Sequence, residues 1–234
     1  MRIIGRSALV LSGAGLFLAC TNGSSTPIET VAPDGARIVH SETGALTLPA
    51  AAPADVIVRD FLRERGAGVA VDGLRVTRAS APQSGVSHLR MEQTVDGRRV
   101  IGAYVKAALS ERGELLHLID KVVPLRGAIA AASVDEQAAL RSALQHLGYE
   151  IRTPSQLERK GNLTRFVSDK VFHRAPTVER VVFVDELGTT RSGFLVETWS
   201  QRENQLDETL VAGDGRIVSV ERRTNNDSYN VFTE

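Results

Sequence analysis

Runs of strand-period sequence interrupted by single helices predict an α+β fold with antiparallel sheets, because βαβ units would instead follow every strand with a helix. Two such runs occur, each accompanied by one amphipathic helix. The chain therefore reads as two similar halves, each an antiparallel β-meander packed against a helix. Short hairpin signals between the apolar arms support the same reading.

The elements follow in order. Residues 20–35 are rich in Thr, Ser, Pro and Gly and read as a tether. Pro53 opens a helix to about Arg65, in which Ile57, Val58, Phe61 and Leu62 share one side and Gly66 is the stop. From Leu74 the period changes to strands. Leu89, Met91 and Val95 alternate with polar partners, and Asp96-Gly97 is the strongest hairpin signal in the chain. A second arm over 98–109 turns at Glu111-Arg112-Gly113 into an apolar arm over 115–123. Ser133 and Glu136 have the spacing of a capping box. They open a helix whose stripe is Leu140, Ala143, Leu144 and Leu147, ended by Gly148. Residues 149–177 show no steady period. Strands are expected over 180–184, 194–201 and 209–222, the last folded back at Gly213-Asp214-Gly215. Trp199, in an alternating strand, reads as core.

The N-terminus directs the chain out of the cell. Arg2 and Arg6 precede a short apolar run over 7–18, the pattern of a signal peptide over 1–19. That run falls short of the ~20 residues that span a bilayer. It ends in Leu16-Phe17-Leu18-Ala19-Cys20, and Cys20 is the single cysteine of the 234-residue chain. The segment resembles the lipobox of bacterial lipoproteins, where the thiol supplies the thioether that carries a diacylglycerol. More than one acyl chain gives durable anchoring. The expected location is the outer or periplasmic surface of a membrane, or the medium.

Composition narrows the function. The formal net charge is zero, and a nucleic-acid partner would call for a basic patch with interleaved aromatics. The five histidines are scattered and no HExxH occurs, so no zinc site on one helix face is expected. With Cys20 reserved for lipid, a thiol nucleophile is not available, and no GxSxG elbow or phosphate-cradling loop is present. The carboxylates fall in turns and exposed arms and read as solvated. The sequence offers no catalytic residue, no metal ligand set and no cofactor site.

The stretch Gly85-Val86-Ser87-His88-Leu89-Arg90-Met91-Glu92-Gln93-Thr94-Val95-Asp96-Gly97-Arg98-Arg99-Val100-Ile101-Gly102-Ala103 resembles the fungalysin/thermolysin propeptide (FTP) domain. His88, Arg90, Gln93, Gly97, Val100 and Gly102 match that family's pattern, and the Gly113 turn ends the arm as expected. The helix over 133–147 and the closing hairpin around Gly213-Asp214-Gly215 are similar to a PepSY domain. Residues 227–234 resemble the junction that leads into a fungalysin catalytic domain. The resemblance implies an FTP-like domain over 36–126, a PepSY-like domain over 127–226 and a catalytic domain lying beyond Glu234. It also implies a role: a non-catalytic pro-region, chaperone and temporary inhibitor of a secreted zinc metalloprotease acting in cis or in trans, the zinc being the protease's own. The alternative is a free-standing, lipid-anchored envelope binding protein or protease inhibitor of the same fold. His88, Arg90 and Gln93 are expected to be mainly architectural, with Gln93 sharing a strand face with Leu89 and Met91 and bonding backbone.

Cys20→Ser removes the only thiol able to take the lipid. The expected result is an uncleaved precursor or a shift to the soluble fraction, read by fractionation and intact mass.

Overall fold

Turn chemistry sets the first elements. The computed structural model describes residues 26–224 apart from Ile151 and Asp169, so Cys20 and residues 227–234 lie outside the described residues. Strands β1 (Ile28–Val31) and β2 (Arg37–His40) form an antiparallel hairpin. Its turn is Pro33-Asp34-Gly35, with Gly35 at φ 82° and the Asp34 side chain accepting from Ala36 N–H at 3.1 Å. The stretch read as a tether therefore contains a paired strand. Its alternation is only four residues long, too short to register against the Thr/Ser/Pro background.

Helix α1 (Ala54–Glu64) buries Ile57, Val58, Phe61 and Leu62, as expected. Gly66 ends it in a Schellman pattern, with Gly66 N–H on Arg63 C=O and Ala67 N–H on Leu62 C=O. Strands β3 (Leu74–Ala79), β4 (Val86–Val95), β5 (Arg98–Ser110) and β6 (Leu115–Asp120) follow. Pairing runs β3–β4–β5–β6–β2–β1, all antiparallel. Asp96 and Gly97, at φ 49° and 74°, make the two-residue turn between β4 and β5, the type I′ geometry that Asp-Gly favours. The α1 face packs on Leu74, Leu89, Met91, Val105, Ala107, Leu109, Leu115 and Leu118.

Helix α2 (Glu136–His146) starts differently from its expected form. Asp135 is the cap, its carboxylate accepting from Ala138 N–H at 2.8 Å. Ser133 instead donates to Gly213 C=O at 3.2 Å, and Glu136 is 3 % exposed, paired with Arg159 and Arg180. The capping box fails because Glu136 gains more from two guanidinium partners than from one amide. Gly148 closes α2 with a second Schellman pattern. The remaining strands are β7 (Gln156–Lys160), β8 (Leu163–Phe166), β9 (Thr177–Val184), β10 (Thr190–Trp199), β11 (Leu206–Ala212) and β12 (Ile217–Arg222). Strands β7 and β8 occupy the stretch that shows no period, because β7 is exposed throughout and carries no apolar face. Helix α2 packs on Phe166, Val178, Phe194, Val196 and Val211.

Among the described residues, the two runs of strands are joined in one mixed twelve-stranded sheet. The join is a short parallel pairing, Arg99↔Val181 and Val100↔Val182. Register fixes the sides. Met91, Val100 and Val182 share the face that both helices cover, and Glu92, Arg99 and Val181 share the other. Among the described residues, no helix packs on the opposite face.

Gly97 and Gly113 make a controlled pair. Both have positive φ, but a Cβ on Gly97 meets nothing, whereas on Gly113 it runs into the Ala50 carbonyl oxygen. Gly97→Ala should cost about 1 kcal/mol for the left-handed backbone alone. Gly113→Ala should lower Tm at least twice as far in thermal denaturation.

Candidate interaction surface

Most of the motif residues are built into the frame. Gln93 is fully buried beside Leu89 and Met91 on the helix-covered face. Its amide makes a two-point clamp on backbone, Nε2 donating to Val123 C=O at 2.9 Å and Oε1 accepting from Val123 N–H at 3.0 Å. Pairing of β4 with β5 is interrupted opposite Gln93, between Glu92↔Tyr104 and Thr94↔Arg99. The excess β5 residues form a bulge that contains Gly102 at φ 75°. Val100, 1 % exposed, packs there with Ala103 and Val182, joined by Val95, Val123, Leu125 and Ile129.

Three carboxylates depart from the solvated reading. Asp120, Glu136 and Asp207 are each 3 % exposed. Asp120 pairs with Arg37 and accepts from Val122 N–H. Asp207 accepts two bonds from Gln205 Nε2, at 2.7 and 2.9 Å. All three have donors in place and act as structural anchors. Among the described residues no group of three or more His, Cys, Asp or Glu stands ready for a metal ion. No described helix is long and apolar enough to cross a membrane.

His88 and Arg90 lie on the helix-free face. One row there runs Arg78, Arg90, Lys106, Ile119 and Ile38 across five adjacent strands. The next runs His88, Ala108, His117 and His40. Between them lies a depression of ≈ 660 Å³, with the small Ala108 on its floor. The Tyr104 ring sits beneath two cations, Arg90 at 5.5 Å and Lys106 at 5.1 Å from its centroid. His40 and His117 stack with centroids 6.4 Å apart. Burial first, and then the charge of His40, hold the His117 imidazole below its usual pKa.

On the same face, the second run of strands carries a row of like charge, Glu197, Glu208 and Glu221. Each has an arginine: Arg174 on Glu197 at 2.7 Å, and Arg223 on Glu208 at 3.5 Å and on Glu221 at 2.7 Å. Trp199 shares this face, half-buried, its ring 5.0 Å from that of His173 with Arg174 above it. It is a surface ring, not the core residue its alternation suggests.

Residues 72–120 match the Fungalysin/Thermolysin Propeptide Motif family, a span that takes in β3 to β6 and the Gln93 bulge. Among solved structures, the C-terminal domain of Bacillus megaterium YpeB is similar at 12% identity and a TM-score of 0.36. That likeness covers 85% of this chain and 83% of that one, and it is too remote to carry an argument. No curated protein matches the chain.

Removing the buried Gln93 amide takes both partners from the backbone of the half-buried Val123. Gln93→Ala should cost about 2–4 kcal/mol in urea denaturation. Hydrogen exchange should show protection lost first at the Val123 amide.

Proposed function

We propose that the chain is the non-catalytic pro-region of a secreted zinc metalloprotease of the fungalysin type, its folding chaperone and temporary inhibitor, held at the membrane through Cys20. The observation that carries this reading is the propeptide-family match over residues 72–120. Support also comes from the shape of the molecule: a sheet with one face bare of helices offers a preformed surface, so little ordering entropy opposes docking. An interface of standard size buries roughly 800 Å² on each partner, a scale a sheet face can supply without a reactive side chain. An inhibitor must prefer the folded protease to its unfolded chain. A chaperone must also prefer the folding transition state, and complementarity to one native surface serves both.

The test uses the protein from about residue 26 and a fungalysin-type catalytic domain. Refolding the protease in the presence of this chain should raise the yield of active enzyme. Titrating the chain against folded protease should slow peptide cleavage. No change in either at micromolar concentrations would remove the pro-region reading and leave the envelope-binding alternative.

A further inference from the structure

Like charges directly opposite one another on neighbouring strands are destabilising, and this sheet face handles them in two ways. In the second run of strands each glutamate of the row has an arginine across it. In the first run, Arg78 faces Arg90 and Arg90 faces Lys106. The only carboxylate ion pair to this row among the described residues is Arg90 with Glu92, at 3.1 Å. Arg78 and Lys106 have none. Tyr104 shields one side of Arg90 and Lys106 but supplies no net charge. In a chain of zero net formal charge, a cationic row left open while the anionic row of the second run is closed points to a missing counter-charge.

The lining also says what kind of anion is missing. Beyond Lys106 the row becomes apolar, with Ile119 and then Ile38. Ala108, whose side chain shares this face with His88 and Lys106, adds apolar floor. A simple phosphate would leave that surface wet, whereas a polypeptide carrying both carboxylates and apolar side chains covers both parts. His88 and His117 line the depression at its rim and can donate to the same carboxylates.

We propose that the depression between Arg78, His88, Arg90, Lys106, His117 and Ile119 is a docking site for an acidic polypeptide segment in which carboxylate and apolar side chains alternate. The occupant is defined by chemistry, so the site stands whether or not the partner is a protease.

The probe is a fluorescein-labelled peptide of about ten residues alternating glutamate and leucine, long enough to cross four strands spaced roughly 4.8 Å apart. Anisotropy should show saturable binding to the whole chain, weakening steeply with salt. The double variant Arg78→Glu/Lys106→Glu should weaken it at least tenfold. Ala108→Trp keeps every charge but fills the floor, and should weaken it by a similar factor. Arg216→Glu, in the exposed β11–β12 turn, should change affinity less than twofold. Circular dichroism and Tm establish which variants fold, and either trough variant alone decides the question. Absent binding, or equal loss with Arg216→Glu, would overturn the proposal. So would competition by inorganic phosphate or phosphatidylglycerol vesicles as effective as by unlabelled peptide, since a simple anion or a lipid surface would then be the occupant.

Discussion

A glutamine amide with no solvent contact holds the two parts of this sheet in one piece. Gln93 offers one donor and one acceptor in a plane, and the backbone of Val123 takes both. The bond pair does what a neighbouring strand would do, at a place where β5 bulges and cannot. Once Val123 is fixed, its side chain joins Val100, Ala103 and Val182 in the cluster beneath the β5–β9 join. The chain beyond is fastened stepwise. Thr190 accepts from Arg126 N–H at 2.8 Å, Ser192 donates to Ala130 C=O at 2.7 Å, and Gly213 C=O receives Ser133 N–H at 2.8 Å. The connection between the two runs of strands is thereby a bonded strap, and α2 starts where that strap ends.

The join itself mixes long and short range. Only two residue pairs of β5 and β9 are in parallel register, which is little backbone bonding for so large a sheet. Side chains add to it. Arg99 reaches Glu179 with two nitrogens, at 2.6 and 3.4 Å, and Asn162 donates to Gly97 C=O at 2.7 Å. The tip of the β4–β5 hairpin is thus tied to the turn of the β7–β8 hairpin. A bidentate pair has geometric demands that a single contact would not impose, so the half-buried Arg99 sets the relative position of the strands as well as adding attraction.

Local features of the fold were legible because local chemistry decides them. Asp96-Gly97 specifies a turn on its own, and the α1 stripe has the helical period in plain view. The Gln93 face also followed from alternation, since residues 89, 91 and 93 point the same way. What escaped is what depends on partners distant in the chain. Glu136 looks like a capping residue until Arg159 and Arg180 are brought to it. Strand β7 has no apolar face to betray it, and the Gly161-Asn162 pair at its end, with Gly161 at φ 58°, was the available signal of a hairpin. The parallel join of β5 and β9 leaves no local mark, and for that reason two separate meanders were expected where one sheet exists. His88 and Arg90 were placed correctly on one strand face, but the rows they belong to cross strands that only the register brings together.

Those rows bear on why the motif mixes glycines with charged groups. The glycines and Gln93 act on the helix-covered side and at turns, where they set curvature and pin the strap. His88 and Arg90 lie on the other side of the same strand, one residue out of phase. Changes to the frame and changes to the surface are therefore separable along a single strand. A bulge at 100–103 reverses that phase within β5, carrying Arg99 and Ile101 onto the helix-free face. The cationic first run and the arginine-neutralised second run thereby come to share one face of the sheet. Selection for a charged surface can then proceed on alternate residues without disturbing the core, provided Gln93 keeps its hold on Val123.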